Sequence, residues 1–203
     1  FLNGPDSAPD KLHLFDGSGS IEVELPRMNL SKVYPLRPGP LKLSLLFSPL
    51  DDPENLPKGA PSATVPANAV DFYLVLTSDP ENAVAPVTMQ VIDATGPKLK
   101  QGGMLWYNLT QVTVGGTVGS RKLVVKPMSS KKLAPPASGN TDYPVNLSFL
   151  LPDNKTPYPL CETKWRHDPR SRSLAFIIAN EGSRAPRVLV FPDFRERKKK
   201  KDN

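Results

Sequence analysis

The chain has 203 residues, of which 24 are proline, 13 glycine and one cysteine. Proline at about 12%, more than twice its usual share, excludes a helical bundle, because each proline inside a helix costs about 3 kcal/mol through its missing N–H and its clash with the preceding turn. The formal net charge is +6, and a single cysteine excludes an intramolecular disulfide and a cysteine-based metal site of ordinary spacing.

In chain order, the segments read as short strands. Leu12-His13-Leu14-Phe15 alternates and carries one of the two histidines. Ser20–Leu25 places Ile21, Val23 and Leu25 on one face and Glu22 and Glu24 on the other, the pattern of a strand half in water. Leu41–Leu45 repeats it. Asp51–Pro66, with prolines at 53, 57, 61 and 66, reads as a long surface connection. Its carboxylates Asp51, Asp52 and Glu54 lack the glycine turn and distal glutamate of an EF-hand loop, which leaves them as a solvated loop. Val70–Leu76 is a continuous apolar run and predicts a central strand buried on both sides, and Val87–Val91 alternates again.

The second half follows the same rhythm. Gln111–Val114 and Thr117-Val118 predict a hairpin closed by Gly115-Gly116, where positive φ angles suit glycine. Ser129–Lys132 and Pro135–Asn140 read as flexible connections, Val145–Phe149 as an alternating strand, and Leu174–Ala179 as a second central strand. Four Asn-x-Ser/Thr triplets, at Asn29, Asn108, Asn146 and Asn154, barely exceed chance and are incidental.

An internal repeat organises these strands. Pro40–Phe47 aligns with Pro144–Leu151, matching at four of eight positions with an offset of 104. Pro86–Asp93 and Pro186–Asp193 share a hydrophobic pattern and both end residues at an offset of 100. Each of the latter two stretches follows one of the continuous apolar runs. A repeat of about a hundred residues is the size of one immunoglobulin-like sandwich. The expectation is an all-β fold of two tandem immunoglobulin-like β-sandwich units, residues 1–97 and 98–194, followed by a basic tail, 195–203. The stretch Trp106–Thr110 through Val118-Gly119, continued by Leu123–Pro127, resembles exported bacterial proteins of unknown function with immunoglobulin-like β-sandwich domains. That resemblance implies a fold and carries no functional residue.

Charge is concentrated at the C-terminal end. Residues 160–203 hold twelve Lys/Arg and six Asp/Glu, whereas residues 1–159 hold fourteen of each sign. The run Arg195–Asn203 alone supplies six positive and two negative charges, which reads as a solvated tail. A nucleic-acid reader spreads Lys/Arg over a folded face and interleaves aromatics, so nucleic acid is not the expected partner. No segment approaches the ~20 apolar residues of a membrane span. The chain begins at Phe1, and with its low cysteine content this points to a leader removed on export, and so to a periplasmic or secreted protein.

The densest polar cluster is Cys161–Arg172. As a ligand site it would use Arg166, Arg170 and Arg172 as forked donors to an anion, with Trp165 as a stacking platform and His167 beside them. In an extended backbone the three arginines, at spacings of four and two, would project from one face. As structure, Leu160–Arg166 is a strand with Trp165 in the core, ended by a His167-Asp168-Pro169 turn. A Cys161/His167 nucleophile pair fails on distance, since residues six apart on a strand are roughly 20 Å from one another. Two histidines without a ligand pattern give no metal site, and no cofactor is implied. The function expected is a non-catalytic interaction or adaptor module of the bacterial cell envelope, with an envelope protein or polysaccharide as partner. Two alternatives remain: a carbohydrate-binding module, which needs Trp106, Tyr107 or Trp165 exposed and coplanar, and a hydrolase built around His167 and Asp168.

Overall fold

Apart from one turn of 3-10 helix at Pro53–Asn55, the regular structure of the described residues is all strand. The structure is a computed structural model that describes residues 9–96 and 99–194. The expected basic tail at 195–203 lies outside the described residues. No helix among them is long and apolar enough to cross a membrane. The chain divides into two compact units, Phe1–Thr95 and Gly96–Asn203.

The first unit contains β1 (Lys11–Phe15), β2 (Ser20–Glu24), β3 (Leu41–Leu46), β4 (Ser62–Val65), β5 (Phe72–Ser78) and β6 (Val87–Asp93). The first four form an antiparallel sheet in the order β2-β1-β3-β4, and β5 and β6 form a hairpin of their own. Alternation aims Leu12, Leu14, Val23, Leu41, Leu43, Leu45 and Val65 inward, where they meet Leu76 and Val87 of the hairpin. Two expectations are corrected here. The connection 51–66 contains β4, because Pro61 and Pro66 flank the strand instead of interrupting it; Asp52 caps the 3-10 turn, accepting from the Glu54 N–H at 2.9 Å. The run at 70–76 is not central: among the described residues β5 pairs with β6 alone, and Val70 is 85% exposed. Tyr73 and Val75 on one face and Leu76 on the other are nonetheless buried. An apolar run reports covered faces, and covered faces do not require two strand neighbours.

The second unit contains β7 (Met104–Asn108), β8 (Thr113–Val118), β9 (Arg121–Val125), β10 (Ser130–Leu133), β11 (Thr141–Leu150), β12 (Tyr158–His167), β13 (Arg172–Asn180) and β14 (Ser183–Asp193). They form two four-stranded sheets, β10-β7-β13-β14 and β12-β11-β8-β9. The core between them is built on Trp106, Val114, Val118, Leu123, Val145, Leu147, Ala175 and Ile177. The β7–β13 pair is parallel, a departure from the all-antiparallel sheets of an immunoglobulin sandwich. Ser129–Lys132, expected to be flexible, is largely β10.

Gly115 and Gly116 are not a turn. Both lie inside β8, and the chain reverses at Gly119-Ser120. A Cβ on Gly116 would overlap the carbonyl of Asn146 on β11, so glycine is required there for close strand approach instead of for reversal.

The strand orders of the two units correspond. The order β2-β1-β3-β4 recurs as β9-β8-β11-β12, and the hairpin β5-β6 recurs as β13-β14. The second unit adds β7 and β10, both in the sheet of the closing hairpin.

Candidate functional site

Residues 165–167 sit at the end of β12, and strand alternation separates their side chains. Trp165 turns inward, packs on the core and stacks on Trp106, with ring centroids 5.9 Å apart and planes at 13°. Tyr143 meets Trp165 edge-on at 6.4 Å. Trp106 is 0% exposed and Tyr107 is buried. The two indoles are close to parallel, as a sugar platform would be, but Trp106 is fully buried and Trp165 is half-buried against the core.

Arg166 turns outward. Its Nε donates to Asn140 Oδ1 at 3.0 Å and its Nη1 to Asp142 Oδ1 at 3.3 Å, the latter its cross-strand neighbour on β11. His167 turns back in and is buried. Its Nδ1 lies 2.6 Å from the Gly139 carbonyl oxygen and its Nε2 lies 3.1 Å from that of Gly102. Gly102 has φ +79°, and a Cβ there would come within 2.9 Å of Nε2, so its glycine makes room for the ring. With a backbone oxygen beside each nitrogen, the buried ring is enclosed by the backbone at Gly102 and Gly139 and presents no free nitrogen to a substrate.

The turn after β12 ends the extended backbone. Asp168 accepts from the Arg170 N–H at 2.8 Å, from Nε at 3.0 Å and from Nη2 at 2.7 Å. These bonds, first of all those from the Arg170 side chain, hold its carboxyl down at about 2 and push the Arg170 guanidinium up. Ser171 donates its N–H to the Asp168 carbonyl at 3.3 Å. Beyond the turn Arg172 is buried, pairing through Nη2 with Asp193 Oδ2 at 2.9 Å across the β13–β14 register.

The three arginines therefore do not share a face. The turn at 168–171 breaks the extended geometry on which that expectation rested, and each arginine has its own carboxylate: Asp142, Asp168 and Asp193. Arg166 and Arg170 keep side-chain exposures of 66% and 79%, so they are the pair an acidic ligand would meet, in competition with Asp142 and Asp168. Arg172 is reserved for the interior. Cys161 lies on the same unbroken strand as His167, and burial pushes its thiol up, which favours the un-ionised form. His13 lies on β1, opposite Glu22 and Leu46. No group of three His, Cys, Asp or Glu among the described residues could hold a metal ion.

Asn108 was the residue hidden by sequence reasoning. Fully buried at the end of β7, it donates through Nδ2 to the carbonyls of Val112, Val125 and Lys126 and accepts from the Thr110 N–H and hydroxyl at 3.0 and 2.7 Å. The available signal was one amide side chain closing the apolar run Met104–Tyr107. Asp193 left no local trace, because its partner is 21 residues away and only the hairpin register unites them.

No protein-family model matches the chain, and no curated protein matches it significantly.

Proposed function

We propose that the chain is a non-catalytic, exported interaction or adaptor module of the bacterial cell envelope, built from two tandem immunoglobulin-like units that arose by duplication. The observation that carries this reading is the recurrence of one strand order, β2-β1-β3-β4 as β9-β8-β11-β12, each closed by a hairpin. A repeated sandwich is a rigid scaffold, and such scaffolds work through surfaces and loops. Support also comes from the densest polar cluster, where the His167 ring lies against the Gly102 and Gly139 carbonyls and Asp168 is bonded to Arg170 within its own turn. In this reading the protein acts in the periplasm or outside the cell, and its partner is an envelope protein or an acidic polysaccharide that meets Arg166 and Arg170.

Titration of an acidic oligosaccharide, with a neutral one as control, into wild type and an Arg166→Ala/Arg170→Ala variant tests the proposal by amide chemical shifts. Saturable shifts around β12 in wild type, lost in the variant, are expected with the acidic ligand. Equal weak binding by both proteins removes the arginines from the reading. Turnover of the oligosaccharide that is abolished by His167→Ala would replace the reading with a hydrolase.

A further inference from the structure

β12 is an edge strand, paired with β11 on one side and with no strand on the other among the described residues. An edge of this kind presents unpaired backbone N–H and C=O groups that can template another strand. Its centre, Glu162-Thr163-Lys164, is exposed at all three residues. The two charges there differ from the rest of the neighbourhood. Arg166, Arg170 and Arg172 each hold a carboxylate. The side chains of Glu162 and Lys164 make no hydrogen bond or ion pair among the described residues, and their cross-strand neighbours on β11 are the neutral Asn146 and Pro144.

We propose that this edge pairs with a second copy of the same chain, β12 against β12 antiparallel about a two-fold axis at Thr163, joining two four-stranded sheets into one of eight. The argument is charge self-complementarity. With the axis at Thr163, Glu162 faces Lys164 of the partner subunit, and Lys164 faces the partner's Glu162. Thr163 meets its own symmetry mate, a β-branched pair suited to a pleated surface. Moving the axis by one residue sets Glu162 against Glu162 or Lys164 against Lys164, and directly opposed like charges are destabilising. The register is thus specified by attraction at one position and repulsion at its neighbours. An interface shared this way is isologous and closes at two subunits. It is also small, so the association is weak and depends on concentration. The proposal is independent of what the envelope partner is.

Sedimentation velocity of the full chain, from micromolar to millimolar protein at low salt, reads the self-association. Wild type is expected to shift from monomer to dimer across this range. Glu162→Lys and Lys164→Glu should each raise the dissociation constant about tenfold or more by placing like charges opposite one another twice per dimer. An equimolar mixture of the two single variants, and the double variant Glu162→Lys/Lys164→Glu, should both recover dimerisation. Both side chains are exposed and unpaired, so these variants fold as wild type does. A chain that stays monomeric throughout, a dimer indifferent to the single reversals, or single variants that fail to complement one another would each overturn the proposal. The register has its own readout: in a Cys161→Ser background, Thr163→Cys should cross-link on mild oxidation, since directly opposed Cβ atoms approach to about 4.5–5.5 Å. A dimer that resists this cross-link sinks the two-fold at Thr163.

Discussion

The two units share a strand order and differ in what fills them. In the first unit the buried residues are almost all aliphatic, with Ser44 the single buried polar residue among those described. The second unit buries Asn108, Thr110, His167, Ser171, Arg172 and Asp193 as well as Trp106. With β7 on one side and β14 on the other, β13 is an interior strand, and Leu174, Ala175, Phe176 and Ile177 are all buried. β5, at the same place in the first unit's strand order, has one neighbour among the described residues. A wider closing sheet gives a deeper interior, in which Asn108 and the Arg172–Asp193 pair are hydrogen-bonded while the Trp106 indole N–H has no partner among the described residues. Aliphatic packing tolerates exchange of volume, whereas a bonded polar set specifies one arrangement.

The largest test of that contrast is Trp106→Ala. Removing a fully buried indole that stacks on Trp165 should cost about 3–5 kcal/mol, read by urea denaturation, while Leu43→Ala in the first unit should cost about 2–5 kcal/mol by the cavity it leaves. Next comes the buried ion pair. Asp193→Ala strands the Arg172 guanidinium inside the protein and should cost about 3 kcal/mol, whereas Arg172→Met/Asp193→Leu, which removes both charges, should recover most of it. A double variant as unstable as the single one would mean that the pair specifies the fold instead of merely being tolerated by it.

Strand positions were largely legible because alternation is a local property: Leu41–Leu45 and Val145–Phe149 each fall within a strand whose inward residues are those the pattern marks. The errors share one cause. Gly115-Gly116, the β5 run and β10 depart from expectation because their conformations are set by neighbouring strands distant in sequence, through the approach of β11, the coverage of both faces and the pairing with β7. The candidate site was half legible. Trp165 packs against the core, as the structural reading of the cluster expects, but the arginines do not share the face expected of them, and the partners that neutralise them come from β11 and β14 and from a turn whose geometry residue types alone leave open.

Asn108→Ala comes third in size. It leaves three carbonyls and the Thr110 N–H short of a partner in a buried setting, at about 1–3 kcal/mol. The first unit offers no equivalent target among its described residues. Asn108→Asp should be no milder, since it loses the donor and brings a charge into the interior.

The smallest effect probes a feature the two units have in common, a carboxylate held by the turn it closes. Asp168 sits at about 2, chiefly because the Arg170 side chain and then its backbone N–H donate to it. Asp16 is also lowered: burial pushes it up, but the Ser18 hydroxyl, the Ser18 and Gly19 N–H groups and Arg37 together outweigh that. A carboxyl that binds protons less readily folded than unfolded stabilises the native state above its unfolded value near 3.9, and loses that contribution as the pH falls through its folded value. For Asp168 the window therefore runs from about pH 4 down to about pH 2. Asp168→Asn can still accept from the Arg170 N–H but carries no charge, so it should be less stable than wild type at neutral pH and converge on it across that window. Because the Arg170 pair is exposed, the gap should be small and should shrink in high salt. Asp16→Asn should behave with the same sign in the first unit. A gap for Asp168→Asn that persists undiminished at pH 2 would show that the turn depends on the shape of the aspartate and not on its charge.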